Sequence, residues 1–407
     1  MDPFDQAARG AQAAHLARGG AEWLSHAGSV DFTDPSLYRG LAGTALALHE
    51  AHQHFGDQHY GRAVVQTMDA LSGHVAGLED SSLYFGLAGV AVALRSLGRH
   101  EAADLALART RDRFDGQRWN DMFELFVGNA GIGLGALIAG DPELAIGAVT
   151  PYLAAADRTR IGVNWKVRPS PARSHHIAHG TLGIVYALAS VGDAVGRDDL
   201  VELALAGAAD VVSRNEAGPQ GFLVPHSDPP HRPDLIERYS YGWCNGPAGD
   251  AQVFRLLARI TGDDAWTALE DRCWRTIRGA GLPSRIRPGF WDNNGRCCGT
   301  AGVLAYACDR IVERGDDFTF SNELVDDLTA RATVDAAGVR WGNVEHRATP
   351  TELEPQSGWA MGNAGIIREL LRFARLSIDG ETGYAISWPD HPATSSSCPD
   401  ARSTTRA

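Results

Sequence analysis

The feature that most constrains this chain is a tetrapeptide, Gly-x-x-Gly, that recurs seven times and is followed each time by a short apolar run. The copies are Gly40–Gly43, Gly86–Gly89, Gly128–Gly131, Gly180–Gly183, Gly246–Gly249, Gly299–Gly302 and Gly362–Gly365. Their spacing runs from 42 residues (Gly86 to Gly128) to 66 (Gly180 to Gly246). Each interval has room for two helices of ordinary length plus loops. Self-similarity at such a period is the mark of a repeat architecture. It also explains where an unusual amount of glycine goes, 46 residues in 407.

The segments after the glycine pairs (VAVALRSLGRH, IVYALASVGDAV and IIRELLRFARL among them) repeat apolar residues at i, i+3 and i+4 and are rich in Ala and Leu. Glycines at i and i+3 lie on one face of a first helical turn, where the missing Cβ atoms allow close approach. Between these segments lie amphipathic ones, such as GRAVVQTMDALSGHVAGL and DDLVELALAGAADVVSRN. Strand signals are sparse. The reading is all-α: seven helical hairpins, each with one apolar and one amphipathic helix.

Such units stack into an open solenoid or close into a ring. Closure is favoured by the lack of a polar capping repeat at either end, and by helices apolar on most sides, as an inner layer is. The Pro-rich loops before the fifth and seventh copies (GPQGFLVPHSDPPHRPD and TPTELEPQSG) are expected to cover one mouth. The ring is expected over residues 1–387, with a disordered Ser/Thr/Pro-rich tail over 388–407.

Composition excludes several functions. The net charge of −13 argues against non-specific binding to nucleic acid or to an anionic membrane. No stretch approaches the ~18 apolar residues of a membrane span. The N-terminus, with Asp2 and Asp5 and no apolar run, does not read as a signal peptide. Six cysteines are too few for a disulfide framework, so a reducing, cytoplasmic setting is expected, where clustered Cys points to metal or catalysis.

Three of those cysteines share the phase of the repeat. Cys244 stands two residues before Gly246, and the pair Cys297–Cys298 immediately precedes Gly299. His179 immediately precedes Gly180. Equivalent positions in a ring converge on one mouth, so three thiols and an imidazole become neighbours. Thiolates select Zn²⁺ or another soft metal, and three protein ligands leave a fourth position open, the catalytic pattern. His179 opens a helix whose dipole favours the uncharged ring, which suits a general acid/base. Cys273, Cys308 and Cys398 lack the phase and read as ordinary apolar residues. His175 and His176 also lack it and are weaker candidates. His49, His52, His54 and His59 read as solvated surface.

In these motifs, Ala178-His179-Gly180, Trp243-Cys244-Asn245-Gly246 and Cys297-Cys298-Gly299, the chain resembles the lanthipeptide cyclases, the LanC-like family, from about Ala21 to Trp388. The resemblance implies an α/α toroid of seven inner and seven outer helices with one zinc at its mouth. It implies that peptide cysteine thiols add to dehydroalanine or dehydrobutyrine in lanthipeptide biosynthesis. The partners would be a dehydrated precursor peptide and a separate dehydratase or kinase/lyase enzyme. By the same resemblance Cys244, Cys297 and Cys298 are the zinc ligands and His179 the catalytic histidine. Glu124 stands where many members carry an Asp, with Asp121 near but out of phase. Ser240 stands where bacterial members often carry an Arg, and the nearest one is Arg238. The competing expectations are a relative that adds glutathione or another thiol to dehydroamino acids in proteins, and a non-catalytic peptide-binding toroid.

Overall fold

The computed structural model describes residues 3–26, 28–234, 236–284, 293–344, 352–381, 383–386 and 388. Fifteen helices lie among them. Seven begin at the glycine pairs: α2 (Leu41–Phe55), α4 (Leu87–Ser96), α6 (Asn129–Ile138), α9 (Thr181–Val195), α11 (Pro247–Thr261), α13 (Thr300–Arg314) and α15 (Asn363–Ile378). In every case the first glycine of the pair is the N-cap, with extended backbone and no side-chain cap. The others are α1 (Pro3–Ser25), α3 (Gln58–His74), α5 (His100–Asp112), α7 (Pro142–Val149), the short α8 (Pro151–Ala155), α10 (Asp198–Val212), α12 (Asp264–Gly279) and α14 (Thr319–Arg331).

The glycine-pair helices form the inner layer. Each packs on the next in chain order, and α15 packs back on α2, so the ring is closed. α4, for instance, buries all of Leu87–Leu94, as burial on both sides requires. The outer layer is α1, α3, α5, α7, α10, α12 and α14. Six pairs are hairpins of consecutive helices, α2 with α3 through α13 with α14. The seventh pair joins the two ends of the chain, α1 against α15. Among the described residues, strands are confined to four two-stranded antiparallel ladders, including β3 (Arg173–Ser174) with β4 (Ser227–Asp228). No helix among the described residues is long and apolar enough to cross a membrane.

The second glycine of each pair is fixed by a close approach. A Cβ on Gly89 would lie 1.8 Å from the Leu83 carbonyl oxygen, and one on Gly249 1.8 Å from that of Trp243. The same contact, to the residue six earlier, recurs in all seven copies. The chain therefore turns back over the start of each inner helix, and only glycine leaves space for it. Gly89→Ala should destabilise the fold by roughly 1–3 kcal/mol or more, as overpacking does. Gly147 on α7 has open space around it. Gly147→Ala should stabilise by about 0.5–1 kcal/mol. Urea unfolding of the two variants checks this contrast.

The turns that precede the inner helices are joined edge to edge. The residues two before the first glycines are Tyr38, Tyr84, Phe126, Ala178, Cys244, Cys297 and Ala360. Backbone hydrogen bonds run Tyr38 N–H to Tyr84 C=O (2.9 Å), Tyr84 to Phe126 (3.3 Å), Ala178 to Cys244 (3.1 Å), Cys244 to Cys297 (3.0 Å), Cys297 to Ala360 (2.9 Å) and Ala360 to Tyr38 (3.0 Å). This circle rims one end of the ring. Its seventh step is replaced, because the Phe126 N–H donates to the Glu124 carboxylate instead (2.8 Å).

Trp388, where the tail was expected to begin, is fully buried. The rest of that tail, with Cys398, lies outside the described residues.

Candidate metal centre and its surroundings

The rim gathers the phased residues. The Sγ atoms of Cys244, Cys297 and Cys298 all lie within 4.8 Å of one another, the only such group of three metal-ligating side chains among the described residues. Cys244 Sγ is 3.2 Å from Cys298 Sγ, and Cys298 Sγ is 3.5 Å from Cys297 Sγ. Cys244 and Cys297 are buried and Cys298 is partly open. The Cys297 and Cys298 thiols donate toward Cys244, which holds its thiol well below the usual range against the cost of burial. Cys297, as the donor, goes up.

The donor set fits a soft divalent cation. Tetrahedral zinc–thiolate bonds of about 2.3 Å place sulfurs roughly 3.8 Å apart, close to the 3.2 and 3.5 Å that separate Cys298 Sγ from the other two. Asn245 Nδ2 donates to Cys244 Sγ (3.4 Å), the kind of outer bond that fixes a ligand's orientation.

His179 sits beside this group. The N–H of its neighbour Ala178 donates to the Cys244 carbonyl (3.1 Å). The His179 side chain is 37% exposed, while Glu124 is fully buried. His179 Nδ1 is 3.2 Å from Glu124 Oε2. Glu124 also accepts the N–H groups of Phe126 (2.8 Å) and Val127 (2.9 Å), so its carboxylate cannot swing away. The Phe126 ring packs 4.6 Å from the His179 ring, centroid to centroid. Oriented on one side by Glu124, the imidazole keeps Nε2 for other work. Asp121 is exposed and takes no part in this arrangement. Arg238 is exposed and bound to Glu216 (2.5 Å), so it does not serve the rim. The cation beside Glu124 is the half-buried Arg168, whose pKa is lowered by burial and partly restored by the Glu124 charge.

The ladder of β3 with β4 ties Ser227–Asp228 of the Pro-rich loop before the fifth copy to Arg173–Ser174. It also brings in residues that no sequence phase announced. His226 is half-buried, its ring 5.6 Å from that of His176, and loss of solvent around it pushes its pKa down to about 3. His176 is fully buried and 2.8 Å from Asp250. Asp250 follows the second glycine of its pair, and burial pushes its pKa up. His175 is fully buried, its ring nitrogens unpartnered among the described residues, and burial drives its pKa to about 3.

The imidazoles of His175 and His226 set an acid limit. A histidine neutral in the fold but titrating near 6.5 when unfolded makes the unfolded state bind more protons between about pH 3 and 6.5. Stability should therefore fall as pH drops through that window, by up to about 1.4 kcal/mol per unit for each group. Urea midpoints at pH 7 and pH 5 measure the loss, and His175→Asn should lessen it.

Cys273 and Cys308 are buried in α12 and α13, and burial raises both thiols. His49 and His54 are half-buried rather than solvated, and burial lowers both. His52 is half-buried, and His59 is exposed.

Comparison with known proteins bears on the family and the fold. Residues 31–233 and 231–322 match the family described as lanthionine synthetase C-like protein. Among solved structures, nisin cyclase superposes with a TM-score of 0.62 at 15% identity, over 86% of this chain and 90% of that one. The Lin0763 protein from Listeria innocua superposes with a TM-score of 0.51 at 12% identity, over 90% of this chain and 98% of that one. At these identities the likenesses speak for the fold alone. No curated protein matches the sequence. The family match spans most of the chain, and the closed ring of inner and outer helices is the architecture it shares with nisin cyclase: the chain belongs to the lanthionine synthetase C-like family.

Proposed function

We propose that this chain is a zinc-dependent cyclase that forms lanthionine or methyllanthionine by adding cysteine thiols of a dehydrated peptide to its dehydroalanine or dehydrobutyrine residues. The observation that carries this reading is the convergence of three sulfurs from two repeats beside a histidine oriented by a buried carboxylate. Cys244, Cys297 and Cys298 would hold the zinc, which when bound favours the thiolate form of an incoming thiol at neutral pH.

In the addition the thiol loses its proton, a sulfur–carbon bond forms at Cβ, and the π electrons move onto the adjoining carbonyl as an enolate. A proton then arrives at Cα, so the peptide's mass is unchanged. His179 Nε2 delivers or relays that proton, since Nδ1 is taken by Glu124. Glu124 fixes the ring's tilt and stabilises its charged form. The buried rim residues Phe126 and Trp243 exclude water from the reacting carbon. The dehydroamino acids require a prior dehydratase or kinase/lyase step. All of this chemistry suits the cytoplasm, where thiols stay reduced.

The test is metal analysis of the purified protein, then incubation with a dehydrated precursor peptide followed by thiol alkylation and mass spectrometry. Ring closure removes alkylatable thiol without changing mass. A gain of one thiol's mass would instead point to intermolecular addition, and the absence of both changes would sink the proposal.

A further inference from the structure

We propose that Tyr384 and Trp388, from the segment after the last helix, are positioning residues for the three-sulfur site, which they reach from beneath. This rests on the reading that the site holds zinc. Beyond α15, residues 383–385 and 388 lie back along the inner face of that helix, each contact nearer its N-terminus than the one before. Arg375, near the end of α15, donates to the Gly383 carbonyl (3.0 Å). The Ala385 N–H donates to both oxygens of Glu50 on α2 (3.0 and 2.9 Å). The Tyr384 hydroxyl donates to Glu369 (2.6 Å) and accepts from Arg372 (3.1 Å), both on α15. The Arg368 guanidinium lies 3.6 Å over the Tyr384 ring and 4.5 Å over that of Trp388.

At the end of this run Trp388, 1% exposed, stacks on Trp359 (6.1 Å, 28°). Trp359 stands at the centre of the ring, 5.2 Å from Tyr84 and 5.3 Å from Trp243, which come from the second and fifth repeats. The segment thus supports the sulfurs along two lines. One runs from Trp388 through Trp359 to Trp243, the residue before Cys244. The other runs from Tyr384 through Glu369 to Arg296, the residue before Cys297. Glu369 accepts from Arg296 Nε at 2.9 Å, and the Arg296 guanidinium lies 5.8 Å from both the Trp243 and the Trp359 ring. Arg296 and Glu369 are fully buried charges. Such a pair holds one geometry only while its hydrogen-bond partners are complete.

The experiment compares Tyr384→Phe, Trp388→Ala and Trp388→Phe with the unaltered full-length chain. Zinc affinity is read by competition with a chromophoric chelator. Alkylation rates of Cys244, Cys297 and Cys298 are read by mass spectrometry on metal-free protein, and circular dichroism reports the fold. With helix content unchanged, Trp388→Ala should weaken zinc about ten-fold or more, and Tyr384→Phe several-fold, as loss of supporting contacts around ligands does. Alkylation of Cys297, 2% exposed, should accelerate in both. Trp388→Phe, which keeps a ring against Trp359, should restore most of the affinity. Folded variants with unaltered zinc affinity and unaltered alkylation rates would overturn the proposal, leaving the two side chains as core filling. If Trp388→Ala does not fold, Tyr384→Phe decides on the same readouts. If the unaltered protein binds no zinc, the metal reading falls, while the alkylation rates still decide whether the segment positions the sulfurs.

Discussion

Cys297→Ala should purify folded, with its zinc affinity down on the order of a thousand-fold and no detectable ring formation. Metal bound by thiolates is worth roughly 10–16 kcal/mol, and removing one of three protein ligands forfeits about a third of it, some three decades in affinity. The fold should survive, because the Cys297 backbone keeps its place in the rim, donating to Ala360 and accepting from Cys244. Those bonds do not involve the side chain. Cys273→Ala is the control: that thiol is buried in α12 with its pKa raised, and its loss should leave zinc untouched. Equilibrium competition with a chelator, together with metal stoichiometry, separates the outcomes. A Cys297→Ala protein that keeps zinc at unaltered affinity would refute the ligand assignment.

The second large effect is at His179. His179→Gln should keep its zinc and lower turnover by about 10²–10⁴-fold, the usual contribution of a positioned acid or base. The product should also carry mixed configuration at Cα where solvent supplies the proton. Glu124→Gln should be costlier to the fold than its single-atom change suggests. Its carboxylate accepts the Phe126 and Val127 N–H groups with separate oxygens, and an amide turns a donor toward one of them. Stability and turnover should both fall in Glu124→Gln, whereas His179→Gln should lower turnover alone. Single-turnover assays with chiral analysis of the hydrolysed product, beside urea midpoints, distinguish the two.

Much of the frame was legible because glycine is irreplaceable where the chain lies 1.8–2.5 Å from a would-be Cβ, as it does in all seven copies. A steric requirement of that strength leaves a mark at every repeat, so the phase of Cys244, Cys297, Cys298 and His179 could be read directly. Glu124 stood four residues before its glycine, and the structure places it on His179 and on the gap in the rim. His226, His176 and Asp250 were not legible, since a long loop brings the first to the others and no periodicity records loop contacts. Nor did the pattern reveal that an inner helix can carry charge. Arg368, Glu369, Arg372 and Arg375 are all buried in α15, answered by Tyr384, Asp309 and Glu50 from elsewhere in the chain. Helical period separates inner from outer helices but says nothing of partners. The pairing of α1 with α15 is therefore visible only in three dimensions.

That last pairing governs how the molecule is born. A ribosome releases α1, with Ala13, Leu16, Ala17 and Ala21 destined to be fully or almost fully covered, well before α15. Until α15 follows, α1 lacks its main partner, and the nascent ring stands ajar with a greasy flank turned to solvent. Closure is one late event, so premature termination yields an arc with sticky ends rather than a smaller working circle.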